Sequence, residues 1–170
     1  MAGSLFANAG YGLPMTTTDS NHSHSKEGIR TWLRLLSCEK SIEQELRSRF
    51  RDHFTVTLPQ FDVLAELKHA GKPLTMSQLS SELMVSNGNI TGVVDRLEKG
   101  GLVSRDRCTQ DRRVQFIGLT PAGANQFRKM ARRHEKWLAQ LFSELTIDDM
   151  DELQKLLLKA RRSVTSSAPA

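Results

Sequence analysis

The chain has 170 residues, with 24 Lys and Arg against 19 Asp and Glu and a net charge of +5 at pH 7, which suits one core with an extension and a polyanionic partner. Cys38 and Cys108, 70 residues apart, form neither a disulfide framework nor a zinc motif, and the expectation is reduced thiols in the cytoplasm. No run of about 18 apolar residues and no basic apolar leader occurs, so neither a membrane span nor secretion is expected.

Residues 1–25 are rich in Gly, Ser, Thr and Asn, lack helical periodicity and predict a flexible arm. Their single charge is Asp19, which leaves +6 on residues 26–170. His22 and His24 make an H-x-H pair, for which a solvated tail is the simpler explanation than a metal. Apolar residues at Ile29, Leu33, Leu36, Ile42, Leu46 and Phe50 then predict a long helix from Lys26 to about His53.

In "TLPQ", Thr57 stands three residues before Gln60 with Pro59 between, the pattern of a reciprocal helix cap. A second helix should run to about Ala70, stopped by Gly71 and Pro73. The same device in "TMSQ", Thr75 with Gln78, opens a short third helix ending near Met84. After the link "MVS", Ser86 caps a fourth helix that Gly100 and Gly101 terminate, and two helices so joined form a helix-turn-helix.

That fourth helix, "SNGNITGVVDRLEKGG", contains Gly88 and Gly92, each of which should cost an exposed helix about 1 kcal/mol relative to alanine. At 100° per residue, Ile90, Val93, Val94 and Leu97 share one face, while Gly88, Gly92, Asp95 and Lys99 share the opposite one. The glycines therefore point outward, and Asn87, Asn89, Thr91 and Arg96 flank them with hydrogen-bonding groups. A face without side chains lets the backbone approach a groove closely.

The period then changes. "LVSRDR" and "VQFIGLT" enclose "CTQDRR" and predict a hairpin with a charged tip. Thr120 and Pro121 open a fifth helix with apolar positions Phe127, Ala131, His134, Leu138 and Leu141, and Thr146 a sixth with Met150, Leu153, Leu157, Ala160 and Val164. Steps averaging 3.5 make seams suited to packing between helices of two copies, with packing inside one copy as the alternative. His134 is expected to be a packed or partly polar core residue. Arg128, Lys129, Arg132, Arg133 and Lys136 leave several roles open, among them a phosphate track, a dimer contact, an anion site and simple solvation.

From about Lys26 to Arg162 the chain resembles the MarR family of bacterial winged-helix regulators, on "TMSQLSSELMVSNGNITGVVDRLEKGGLVSR" and the signature D-x-R-x5-LT-x2-G, here "DRRVQFIGLTPAG". The fold class is then mainly α with a small β wing: a winged helix-turn-helix at 57–120, a first dimerisation helix at 26–56, C-terminal dimerisation helices at 121–165 and a tail at 166–170. The resemblance implies a homodimer on a double-stranded operator with an inverted repeat, the fourth helix in a major groove and the wing in an adjacent minor groove. Ser86 and nearby backbone N–H groups suit a phosphate; Asn87, Asn89 and Thr91 suit base edges, with Gly88 and Gly92 allowing approach. Arg96 suits phosphate, and Arg105, Arg107, Asp111, Arg112 and Arg113 form the wing's share, with Asp111 holding Arg113 and an arginine entering the narrow groove.

The resemblance further implies a repressor released by a small effector between the dimerisation region and the winged lobe, an aromatic acid or its coenzyme A thioester. Arg30, Trp32, Arg34, Leu36, Phe50, Phe54 and Phe61 are the candidates for that crevice, although such a stripe also reads as core. A thiol-based sensor using Cys38 is the alternative, weakened because Tyr11 is the one tyrosine and no group near Cys38 explains an activated thiolate; a buried, inert cysteine is expected. Five histidines without a metal-binding helical pair, and no G-x-S-x-G, P-loop or paired-carboxylate motif, argue against an enzyme, a metal or a cofactor. A winged-helix module for protein contacts alone would favour exposed apolar anchors over outward glycines and wing arginines.

Overall fold

The computed structural model describes residues 19–107 and 114–166. The chain divides into two compact units, residues 1–41 and 42–170. Helix α1, Asp19–His53, begins seven residues before the predicted start at Lys26, so residues 19–25, expected within the arm, are helical. A helix, once nucleated, extends at little cost into neighbouring polar residues, and polar composition alone does not mark where it stops. Within residues 19–41, Arg30 donates to Glu27 at 2.7 Å, and Ile29, Trp32, Leu33 and Leu35 are exposed.

In the second unit the remainder of α1 is followed by α2 (Leu58–Ala70), β1 (Leu74–Thr75), α3 (Met76–Glu82), α4 (Asn87–Lys99), β2 (Val103–Arg107), β3 (Gln115–Leu119), α5 (Pro121–Leu141) and α6 (Ile147–Ser166). The caps read from the sequence are in place. Gln60 Oε1 accepts from the Thr57 N–H at 2.8 Å. Thr75 and Gln78 bond reciprocally at 2.9 and 3.2 Å. Gly71 closes α2 with φ 65°. α3 ends at Glu82, before the predicted Met84, and the α3–α4 link runs over residues 83–86: Val85 N–H bonds Ser80 O at 3.0 Å and Met84 N–H bonds Ser81 O at 3.2 Å, the paired bonds that end a helix on a left-handed residue. Here that residue is Met84, with φ 52°, where glycine would avoid a cost of about 1 kcal/mol.

The strands form one antiparallel sheet in the order β1-β3-β2, with Leu74 opposite Ile117 and Val103 opposite Leu119. β2 and β3 are the predicted hairpin, whose tip, Cys108 to Arg113, lies outside the described residues. β1 was not anticipated, because a two-residue strand has no period of its own and exists only against β3.

The core gathers Leu46 and Phe50 of α1, Phe61, Val63, Leu64 and Leu67 of α2, Ile90, Val94 and Leu97 of α4, Ile117 of β3, and Met130 and Trp137 of α5. Phe50 stands at its aromatic centre, with ring centroids 4.9 Å from Phe61 and 5.4 Å from Trp137. The α5 stripe lies along this core: Phe127, Ala131, Leu138 and Leu141 are partly buried against it, and the His134 ring lies 4.9 Å from Phe61. Burial holds His134 below its ordinary pKa. α6 differs, since no residue in it is buried.

The motif glycine Gly123 has a steric explanation. A Cβ there would overlap the Leu102 carbonyl, so only glycine lets the start of α5 lie against the residue leading into the wing. Thr120 secures the junction, accepting from Gly123 N–H at 2.9 Å and donating to Gly101 O at 2.7 Å.

Candidate nucleic-acid interface

α4 is held by its apolar face and bare on the other. Ile90, Val94 and Leu97 are buried and Val93 packs against the core, as the 100° spacing requires. At Gly88 and Gly92 an added Cβ would meet no atom within 4 Å. Neither glycine is therefore demanded by packing in this chain, and both keep the outward face flat. Ser86 caps the helix, its Oγ accepting from Asn89 N–H at 3.4 Å, and Ser86, Asn89, Thr91 and Arg96 are exposed along the same side. The exposed helix N-terminus presents unpaired backbone N–H groups, which favour an anion. At its other end, bonds from Leu102 N–H to Leu97 O at 2.9 Å and from Gly101 N–H to Glu98 O at 2.8 Å stop the helix and turn the chain into β2.

The structure places several predicted site residues elsewhere. Arg105 is drawn from the wing's DNA-facing set: its guanidinium is bonded to Asp95 and lies 3.2 Å from Glu98, joining β2 to α4. Carboxylates at i and i+3 of α4 face β2 together, which outward projection of a single helix does not reveal. Asp111, Arg112 and Arg113 lie outside the described residues, as do the side chains of Asn87, Arg107 and residues 19–24, including His22 and His24. Phe50 and Phe61 are buried in the core, and Phe54 is partly buried against it. Arg30, Trp32 and Arg34 are exposed and Leu36 half-buried on residues 19–41. Cys38, expected to be buried, is exposed, because it stands on a part of α1 whose neighbouring side chains are themselves exposed. The basic residues Arg128, Lys129, Arg132, Arg133 and Lys136 are all exposed on α5.

Sequence reading missed a cavity of about 600 Å³ bounded by α2, the α3–α4 link and the first turns of α4. Its apolar wall includes Leu83, Val85, Ile90 and Val93, and its charged residues are Arg47, Asp62, Glu66 and Glu82. Asp62 is half-buried, and burial pushes its carboxyl up to about 6; Arg47 opposes that rise and Glu43 adds to it. The signal was present in "PQFDVLAELKH": Asp62, Glu66 and His69 at i, i+4 and i+7 make a polar stripe beside the buried face of α2.

A helix-turn-helix with a three-stranded wing, whose second helix offers a bare outward face, defines a winged helix-turn-helix protein. The MarR family model matches residues 56–114. YkoM of Bacillus subtilis (strain 168), an uncharacterized HTH-type transcriptional regulator, is 34% identical over 122 residues, covering 71% of this chain and 77% of that protein. Among solved structures, a mutant MarR from E. coli complexed with operator DNA is 26% identical with a TM-score of 0.70, covering 79% of this chain and 95% of that one. Sco3205, a MarR family transcriptional regulator from Streptomyces coelicolor in complex with DNA, shares the fold at 23% identity and a TM-score of 0.72, over 93% of this chain and 94% of that one. The chain belongs to the MarR family.

Proposed function

We propose that this protein is a sequence-specific DNA-binding transcriptional regulator, a repressor that binds a palindromic operator as a homodimer and is released by a small molecule. The observation that carries the reading is the outward face of α4, where two glycines without packing duties lie among exposed Ser86, Asn89, Thr91 and Arg96. Asn89 and Thr91 would meet base edges, Ser86 and Arg96 phosphates, and Arg107, Asp111, Arg112 and Arg113 would supply the wing's contacts. The relatives solved with DNA support this assignment.

The dimer rests on exposed apolar residues that one copy leaves uncovered: Ile29, Trp32 and Leu33 on residues 19–41 and, separately, Leu153, Leu156, Leu157 and Val164 on α6. A helix apolar enough to need a partner and bare in the monomer fits a closed twofold interface. For the effector, the resemblance implies an aromatic acid or its coenzyme A thioester. Such an anion needs free cations; Arg34 is exposed, whereas Arg30 is engaged by Glu27.

A gel shift against random genomic fragments tests the function. Retention of a discrete set of fragments against excess non-specific duplex is the expected result; equal retention of all fragments, or of none, would refute it.

A further inference from the structure

Resting on the reading of the chain as a DNA-binding regulator, we propose that the cavity between α2 and α4 binds a small organic cation, an ammonium group on an apolar body, and that its occupation weakens DNA binding. A volume of about 600 Å³ suits a small-molecule ligand. Leu83, Val85, Ile90 and Val93 offer its body a dry wall. The charge at the other side is negative: Asp62, Glu66 and Glu82 face the space with Arg47 as the opposing cation. That arginine is already engaged, since both its Nε and Nη2 donate to Glu43 Oε1, at 3.0 and 2.6 Å. An anionic ligand would meet three carboxylates and a guanidinium that is already bonded. An ammonium would meet carboxylates in need of a partner.

Asp62 is the sharpest case. It makes no hydrogen bond or ion pair with any described residue, although burial has taken much of its water. The charged and titratable groups around it are Arg47 and Glu43 on α1, Glu66 and His69 on α2, and Glu82 on α3. A cation beside it would replace the lost hydration with a charge-assisted hydrogen bond and hold the carboxyl ionised.

The route to DNA is short. Asn89 lines the cavity and also stands exposed among the residues assigned to base edges, and Val85 belongs to the link that sets the entry of α4. A ligand wedged against Val85, Asn89 and Val93 therefore bears on the groove-facing helix directly. It shifts the equilibrium to the extent that it binds better when α4 is displaced.

The experiment is calorimetry at pH 7.5 on the full chain with a series of primary arylalkylamines and the carboxylates of the same skeletons, 4-phenylbutylamine against 4-phenylbutyrate among them. Wild-type protein should bind an amine saturably, one per chain, with an affinity that depends on Asp62, whereas any binding of its carboxylate should not depend on Asp62. Asp62→Asn should weaken the amine about tenfold or more, the loss of one charge-assisted bond, and Glu66→Gln serves as a second variant should Asp62→Asn not fold. Lowering the pH from 7.5 to 5 should weaken the amine for wild type more than for Asp62→Asn. No binding by any amine, a carboxylate whose affinity falls with Asp62→Asn as the amine's does, or amine affinity unchanged in both variants would overturn the proposal. In parallel operator titrations, the amine should lower wild-type affinity, and unchanged affinity would overturn the regulatory half. Wild-type protein that binds no duplex even without amine would instead refute the DNA-binding reading, while calorimetry still decides the cavity.

Discussion

At Asp62 the fold keeps a carboxylate where an uncharged side chain would be more stable. Its folded pKa is about 6 against an ordinary 3.8, so the folded state holds the proton more tightly between those values. Above pH 6 the ionised, desolvated group costs stability; as pH falls through 6 toward 4 that cost is relieved. Asp62→Asn should therefore raise the melting temperature at pH 7.5, by a stabilisation on the order of 1–3 kcal/mol, and the gain should shrink toward zero near pH 4. Thermal melts of both proteins at the two pH values check this, and an equal gain at both would show that burial of charge is not the cause. A residue retained against stability in a cavity wall is one expected to act on a ligand. Arg105 is the opposite case, a residue whose charge suggested DNA and whose position gives it to Asp95 and Glu98.

Among the elements, α4 carries the sharpest opposition between stability and function. Gly92→Leu adds a side chain into open space and up to about 1 kcal/mol of helix propensity, so melting should be unchanged or raised while specific DNA binding is lost. Asn89→Ala should instead relax preference at particular base pairs by about 1–3 kcal/mol. Operator and random-duplex titrations separate the two, and a Gly92→Leu protein with undiminished operator affinity would remove this face from the interface. The elements that were legible from sequence share a trait: α2, α3 and α4 are bounded by Thr57 with Gln60, Thr75 with Gln78, Ser86 and the glycine stops, all local chemistry. What was not legible depends on partners distant in the chain. β1 needs β3, the cavity needs α2 and α4 together, and the α5 stripe at 3.5-residue spacing looks the same whether it meets Phe61 of its own chain or a second copy. The α5 residues that are buried in the core, Met130 and Trp137, lie beside that stripe and not in it.

For the whole molecule, the pattern of exposure divides the work: residues 42–141 make a core, and α6 contributes no buried residue to it. Leu153 and Leu157 are 40% and 42% exposed in one copy. In the proposed homodimer, Leu157→Glu should leave the helical content intact and convert the sedimenting species from dimer to monomer, since a charge in a dry interface is costly; a Leu157→Glu protein that remains dimeric would place the interface elsewhere. Two copies would bring two α4 helices to one duplex, because a single short helix reads too few base pairs alone. Footprinting a duplex selected by the protein, with the stoichiometry of the same complex taken from sedimentation, tests this central claim most directly. Two chains per duplex and two protected half-sites centred about 10 bp apart are the predicted result; one chain protecting a single half-site, or no sequence-selective protection, would contradict it.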